Sequence, residues 1–148
     1  MPEKLLNDQI VGQIREAFVD LKEPVAILFF GSKENWEYCD DSRLLLEELV
    51  EIDERLSLTV YDIGSDIEVV KLYQIDKTPG IVIAALDGNQ IIDFGIRYSG
   101  IPSGHEFSTL IQDILLVSGR DSGLTPQTRD FLKNLQKPLH LQVFVTPT

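Results

Sequence analysis

The sequence predicts an α/β domain with a mixed sheet flanked by helices, and three features predict it. Two short, uninterrupted apolar runs, Val25 to Phe30 and Ile81 to Leu86, have the length and continuity of strands buried on both faces. Amphipathic segments at helical spacing lie around and between them. Asp87-Gly88-Asn89 then joins the second run to Gln90-Ile91-Ile92-Asp93-Phe94 as a hairpin turn, so antiparallel pairing accompanies a strand–helix–strand portion.

Taken in order, Leu5, Leu6, Ile10, Ile14, Phe18 and Leu21 recur at helical spacing, which predicts a first helix over 4–21, ended before Pro24. The strand 25–30 leads through a polar loop into Tyr38-Cys39-Asp40-Asp41-Ser42 and a helical stripe of Leu44, Leu45, Leu46, Leu49 and Val50. Cys39 is therefore expected where that helix begins, a place whose partial positive charge favours a thiolate; an inert, buried core cysteine is the competing expectation. Leu56 to Tyr61 alternates as a second strand, and Asp66 stands as the N-cap of a short helix over 66–73. Thr78-Pro79-Gly80 opens the strand 81–86 and its hairpin. Phe107, Leu110, Ile111, Ile114, Leu115 and Val117 form the inward stripe of a helix over 105–117. The order α-βαβ-α-ββ-α is that of the thioredoxin-like fold.

Arg120 to Gly123 reads as a linker. Thr125-Pro126 caps a further helix with proline at its first position, striped by Phe131, Leu132 and Leu135. Lys137-Pro138 ends it, and Leu139 to Val145 alternates like a strand. A helix followed by a strand repeats the start of the chain. The expected organisation is thus a thioredoxin-like unit over 1–119, then the linker, helix and first strand of a second unit over 120–148.

Composition narrows the chemistry. A chain of 148 residues buries roughly two-thirds of its unfolded surface without staples. One cysteine and two histidines exclude a disulfide framework and a cysteine-based metal site, so neither metal nor cofactor is expected. A net charge of -11, from 24 acidic and 13 basic residues, repels nucleic acid and anionic lipid surfaces. No apolar run approaches the roughly 20 residues of a membrane span, and Met1-Pro2-Glu3-Lys4 lacks signal-peptide architecture, so a cytoplasmic location is expected.

Phe94-Gly95-Ile96-Arg97-Tyr98-Ser99-Gly100-Ile101-Pro102-Ser103-Gly104-His105-Glu106-Phe107 resembles the connection from last strand to last helix in the first unit of the glutaredoxin-like protein disulfide oxidoreductases. In the same resemblance Trp36-Glu37-Tyr38-Cys39 falls on the first redox motif, Thr78-Pro79 on the cis-proline, and Val143 to Thr148 on the strand leading to the second redox motif, which would begin after Thr148. The family's motif is Cys-x-x-Cys; here Trp36 holds the nucleophile's position and only the resolving position, Cys39, is retained. The resemblance implies a non-catalytic first unit, contributing scaffold and substrate docking to a parent that exchanges thiols and disulfides of proteins or peptides. The arrangement is similar to the N-terminal region of alkyl hydroperoxide reductase flavoproteins, where one of two such folds lacks its redox pair.

Two other functions compete. Cys39-Asp40-Asp41-Ser42 has the spacing of a monothiol glutaredoxin motif, which would make Cys39 an exchanger with glutathione; Asp40 and Asp41 disfavour a thiolate there. A pure interaction module would use Trp36, Tyr38, Thr78 and Pro79 as a peptide groove, aromatic anchors beside a backbone open to strand pairing. Arg97 and Glu106 are expected to form an ion pair, and His105 and His140 to lie at the surface or beside strands. The alternating segment 139–145 would carry an unpaired edge, suited to a homodimer.

Overall fold

The computed structural model describes residues 4–146. Its elements are α1 (Asp8–Phe18), β1 (Val25–Gly31), a 3-10 turn (Lys33–Asn35), α2 (Trp36–Val50), β2 (Leu56–Asp62), α3 (Ile67–Leu72), β3 (Gly80–Asp87), β4 (Gln90–Ser99), α4 (His105–Ser118) and α5 (Pro126–Lys133). The strands form one mixed sheet in the order β2-β1-β3-β4, with β1 parallel to β2 and antiparallel to β3. This is the thioredoxin-like arrangement.

The two apolar runs take the two central positions, where neighbours on both sides and helices on both faces leave no room for polar side chains. Val25, Ile27 and Phe29 of β1 and Ile81, Ile83 and Ala85 of β3 face Ile14, Phe18, Leu46, Leu49, Leu110, Ile114 and Val117 from α1, α2 and α4. The alternate residues Leu28, Phe30, Val82 and Ala84 face a smaller cluster with Tyr73, covered by Val69 and Val70 of α3. Each large side chain so buried contributes about 1.5–3 kcal/mol before chain entropy is counted.

Local chemistry sets most of the ends. The Asn7 side chain accepts from Ile10 N at 2.9 Å to start α1. Thr125 accepts from Thr128 N at 3.3 Å to start α5, with Pro126 at its first position. Asp87 pairs with Gln90, and Gly88 supplies the positive φ of 60° that this two-residue turn needs. Beyond α4, the Ser118 hydroxyl accepts from Lys22 N and Glu23 N and donates to Glu23 O at 2.7 Å. The Arg120 guanidinium donates to Val117 O, Pro24 O and Leu86 O at 2.6, 3.0 and 3.0 Å.

Four expectations change. α1 is limited to Asp8–Phe18; Leu6 and Leu21 are buried, but from the flanking chain rather than from helical positions. β4 runs to Ser99 rather than Phe94, because Ile83 pairs with Ile96 and Ala84 with Asp93, so Phe94 and Gly95 bulge out with Gly95 at φ 85°. Arg97 pairs with Asp93 at 2.6 Å, one bulge away on the same strand, and not with Glu106. Residues 139–145 form no strand: an alternating pattern makes a ladder only where a second backbone lies beside it, and here the side chains are exposed. Met1 to Glu3, and Pro147 and Thr148 of the second motif's approach, lie outside the described residues.

Candidate functional site

The parallel pair β1 and β2 ends at Gly31 and Asp62, and Phe30 faces Gly80, the first residue of β3. At this end of the sheet the Ser32 hydroxyl accepts from Glu34 N at 3.2 Å and caps the 3-10 turn that runs into α2. Helical structure therefore starts earlier than the apolar stripe suggests. Trp36 is the first residue of α2 and Cys39 its fourth, inside the first turn rather than at its beginning.

Their environments differ sharply. Trp36 is 56% exposed and Cys39 2%. Cys39 is pressed against β1: a methyl group on Gly31 would stand 3.6 Å from Cys39 Cβ and 3.1 Å from the Phe29 ring, so the glycine is what lets α2 close on the strand. A cavity of about 350 Å³ opens beside them, lined among others by Trp36, Cys39, Arg43, Tyr61, Asp62 and Asp66.

Arg43 organises the rim. It bonds Asp40 and Glu47, each at 2.6 Å, and its guanidinium carbon lies over the Trp36 ring. The hydrogen bond to Asp40 pushes the Arg43 pKa further up, against a smaller opposing effect of burial. Asp40, adjacent to the thiol in sequence, is thereby committed to Arg43. The Arg43 Nε is buried without a hydrogen-bond partner.

The other expected site residues fall nearby but outside this cavity. Tyr38 is exposed, and its carbonyl accepts from the Ser42 hydroxyl at 3.1 Å. The Thr78–Pro79 peptide bond is cis. Thr78 is half-buried and Pro79 buried, with Pro79 O accepting from Gly100 N at 2.8 Å. They sit on the β3 side of β1, whereas the cavity lies on the β2 side. His105 and His140 are exposed, and no group of three metal-ligating side chains occurs among the described residues. With one thiol in the chain, an intramolecular disulfide is impossible.

Arg43, Tyr61, Asp62 and Asp66 join the site only in the structure. Arg43 was legible: Asp40, Arg43 and Glu47 lie three and four residues apart, and Trp36 two helical turns back on the same face. The acidic pair needed the β1–β2 pairing, which no local pattern reveals. Asp66 does not cap α3 with its side chain; it accepts from Asp62 N at 2.8 Å instead.

Comparison with described protein families finds no match. Among curated proteins, the AhpF component of alkyl hydroperoxide reductase from Staphylococcus aureus is 29% identical over 122 residues, 73% of this chain. The chain spans 24% of that relative's length. Among solved structures, the NTD_N/C domain of alkyl hydroperoxide reductase AhpF from Enterococcus faecalis superposes with a TM-score of 0.74 at 26% identity, covering 84% of this chain and 58% of that one. A protein disulfide oxidoreductase from Aeropyrum pernix gives 0.73 at 28% identity, over 87% and 55% of the two chains. On its sheet order and on these likenesses, the chain is a thioredoxin-like unit of the kind found in the N-terminal part of alkyl hydroperoxide reductase AhpF and in protein disulfide oxidoreductases.

Proposed function

We propose that this chain is a non-catalytic thioredoxin-like unit that gives scaffold and a docking surface to a larger thiol–disulfide oxidoreductase, whose exchange chemistry resides in another unit. The observation that carries this reading is the burial of Cys39, 2% exposed, behind a tryptophan in the first position of the motif. A nucleophilic thiol must meet its disulfide in line and in solvent, and this one belongs to the buried core cluster that includes Phe29. In this reading residues 1–119 are the unit, and 120–148 lead into the next. The exposed apolar side chains Phe131 and Leu132 of α5, and Leu135 just beyond its end, support it, because such a surface is suited to being covered.

The docking surface combines Trp36 and Tyr38 on α2 with Thr78 and Pro79 at the start of β3. Aromatic side chains with one wet face are common anchors, and an extended peptide can pair with backbone beside a strand entry. The substrates are protein or peptide thiols and disulfides, reached in the cytoplasm, and the reading calls for no cofactor or metal in this unit. The exposed segment 139–145 additionally gives the chain a route to a second copy.

Trp36 is the only tryptophan, so its fluorescence reports docking directly. Titrating the chain with an extended disulfide-containing peptide should shift the emission. Cys39→Ser should bind as the natural chain does, and Tyr38→Ala should bind at least about tenfold more weakly. Binding abolished by Cys39→Ser, or a glutathione mixed disulfide forming on native Cys39, would replace this reading with the monothiol exchanger.

A further inference from the structure

The sheet and its covering helices are complete without α1. The four strands and α2, α3 and α4 run from Val25 to Ser118, and α1 precedes them, packed on the face of the sheet that α2 and α4 cover. Its apolar side belongs to the core: Leu6, Ile14, Phe18 and Leu21 are each no more than 5% exposed.

The polar attachment of this segment is narrow. Ahead of α1, the Glu48 carboxylate of α2 accepts from Leu5 N at 2.9 Å and from Leu6 N at 2.8 Å. Behind it, Arg55 donates to Leu21 O at 2.6 Å and to Phe18 O at 3.2 Å, while Asp53 holds the same guanidinium. Among the described residues, Glu48 and Arg55 make every hydrogen bond and ion pair between 4–21 and the rest of the chain. The next two residues are fixed elsewhere, since Lys22 N and Glu23 N both end on the Ser118 hydroxyl.

The seam with α4 is not closed. A cleft of about 370 Å³ lies between Ile10, Gln13 and Ala17 on one side and Phe107, Ile111 and Leu115 on the other. A second, of about 490 Å³, shares Leu115 with it and reaches Val19 and Gly119. Side chains that face an open cleft forfeit the contacts a closed seam would give them.

The helix is also weak by itself. Its 11 residues fall short of the roughly 12–15 at which an isolated helix becomes marginal. Gly12 sits in its middle with nothing within 4 Å of where a β-carbon would stand, so no close approach requires it. Glycine there makes the helix about fivefold less favourable than alanine would.

We propose that residues 4–21 form a hinged lid. Released from Glu48 and Arg55, the segment leaves the face of α2 and α4 as one unit and loses its helix, pivoting at Lys22 and Glu23, while the sheet and α2 to α4 stay folded. Fraying would begin at a loose end, whereas here the first turn is preceded by a buried Leu6 tied to α2. Opening presents the half-buried Phe107, Ile111 and Leu115 of α4 to solvent.

The test is hydrogen exchange on the full 148-residue chain at stepped urea below the unfolding transition, which separates local opening from global unfolding. Amides of 11–18 should exchange at least about 100-fold faster than those of 26–30 and 81–85, with little dependence on urea. Gly12→Ala should raise the protection of 11–18 about fivefold, and Glu48→Ala should lower it at least about fivefold. Val82→Ala, in the cluster on the opposite face of the sheet, should speed exchange in 26–30 and 81–85 and leave 11–18 unchanged. Exchange of 11–18 at the rate and urea dependence of the central strands would overturn the lid, and so would equal acceleration of both sets by Val82→Ala. Protection of 11–18 that responds to Gly12→Ala but not to Glu48→Ala keeps the hinge and overturns the latch, and indifference to both changes overturns the proposal.

Discussion

The guanidinium of Arg43 lies 5.9 Å from the centroid of the Trp36 ring while its terminal nitrogens are held by Asp40 and Glu47, so the exposed tryptophan rests on an ion-paired platform rather than on the core. Arg43→Met keeps the length of the side chain and removes the platform. Stability should fall by no more than about 1 kcal/mol, because these charges are substantially solvated. Trp36 mobility should nevertheless rise, visible as lower fluorescence anisotropy and stronger acrylamide quenching. Unchanged quenching would mean that the ring is held by something else.

Cys39 should resist modification until the chain opens. With the thiol 2% exposed between α2 and β1, labelling by iodoacetamide in the native state should be at least about 100-fold slower than in guanidinium chloride, and should track unfolding. Rapid native labelling at neutral pH would show a reactive thiol and remove the main support of the non-catalytic reading.

The backbone around α2 still suits a dithiol. Positions 36 and 39 are the first and fourth residues of a helix, about one turn apart, a separation compatible with disulfide geometry. Trp36→Cys should therefore form an intramolecular disulfide on mild oxidation and acquire measurable reduction of insulin by dithiothreitol, absent from the natural chain. A Trp36→Cys variant whose two thiols stay reduced under oxidant would show that more than one residue was lost from this motif.

Two pairs predict the edges of the pH profile, with opposite signs. The Arg97 hydrogen bond holds the Asp93 carboxyl below its usual range, so this contribution is present above the unfolded value of about 4 and is lost as pH falls through the lower folded value. Asp93→Asn should flatten the acid limb of a stability–pH curve by roughly 1 kcal/mol. On β4 the Tyr98 hydroxyl donates to Asp113 of α4, and burial first, then that carboxylate, push the phenol well above its ordinary value. Its contribution is present below about pH 10 and is lost on going more alkaline, so Tyr98→Phe should remove that loss. Urea melts at stepped pH decide both.

The central strands were legible because both of their faces are buried, which writes an uninterrupted apolar run into the chain. The hairpin was legible because its turn needs a positive φ and Gly88 supplies it. The start of α2 was not: Trp36, Glu37 and Tyr38 are all exposed, so they carry no periodic signal, and the helix is begun upstream by the Ser32 cap. Thr78 and Pro79 lie at the expected end of the sheet, yet on the far side of β1 from the cavity, a distinction that depends on strand order. Leu139 to Val145 shows the same limit from the other side. Its alternation states what the segment prefers, while pairing is a property of two segments.

The exit from α4 bears on how this unit takes mechanical load. Ser118 binds the turn ahead of β1, and Arg120, at φ 53°, holds the carbonyls of Pro24 and Leu86, which lie at neighbouring ends of the two central strands. Tension applied through residues 121 onward therefore reaches β1 and β3 before it can strip α4 from the sheet. The linker is moored to the stiffest part of the molecule. From α5, Arg129 reaches back to the same segment, donating to Asp121 at 2.6 Å and to Leu124 O at 2.7 Å.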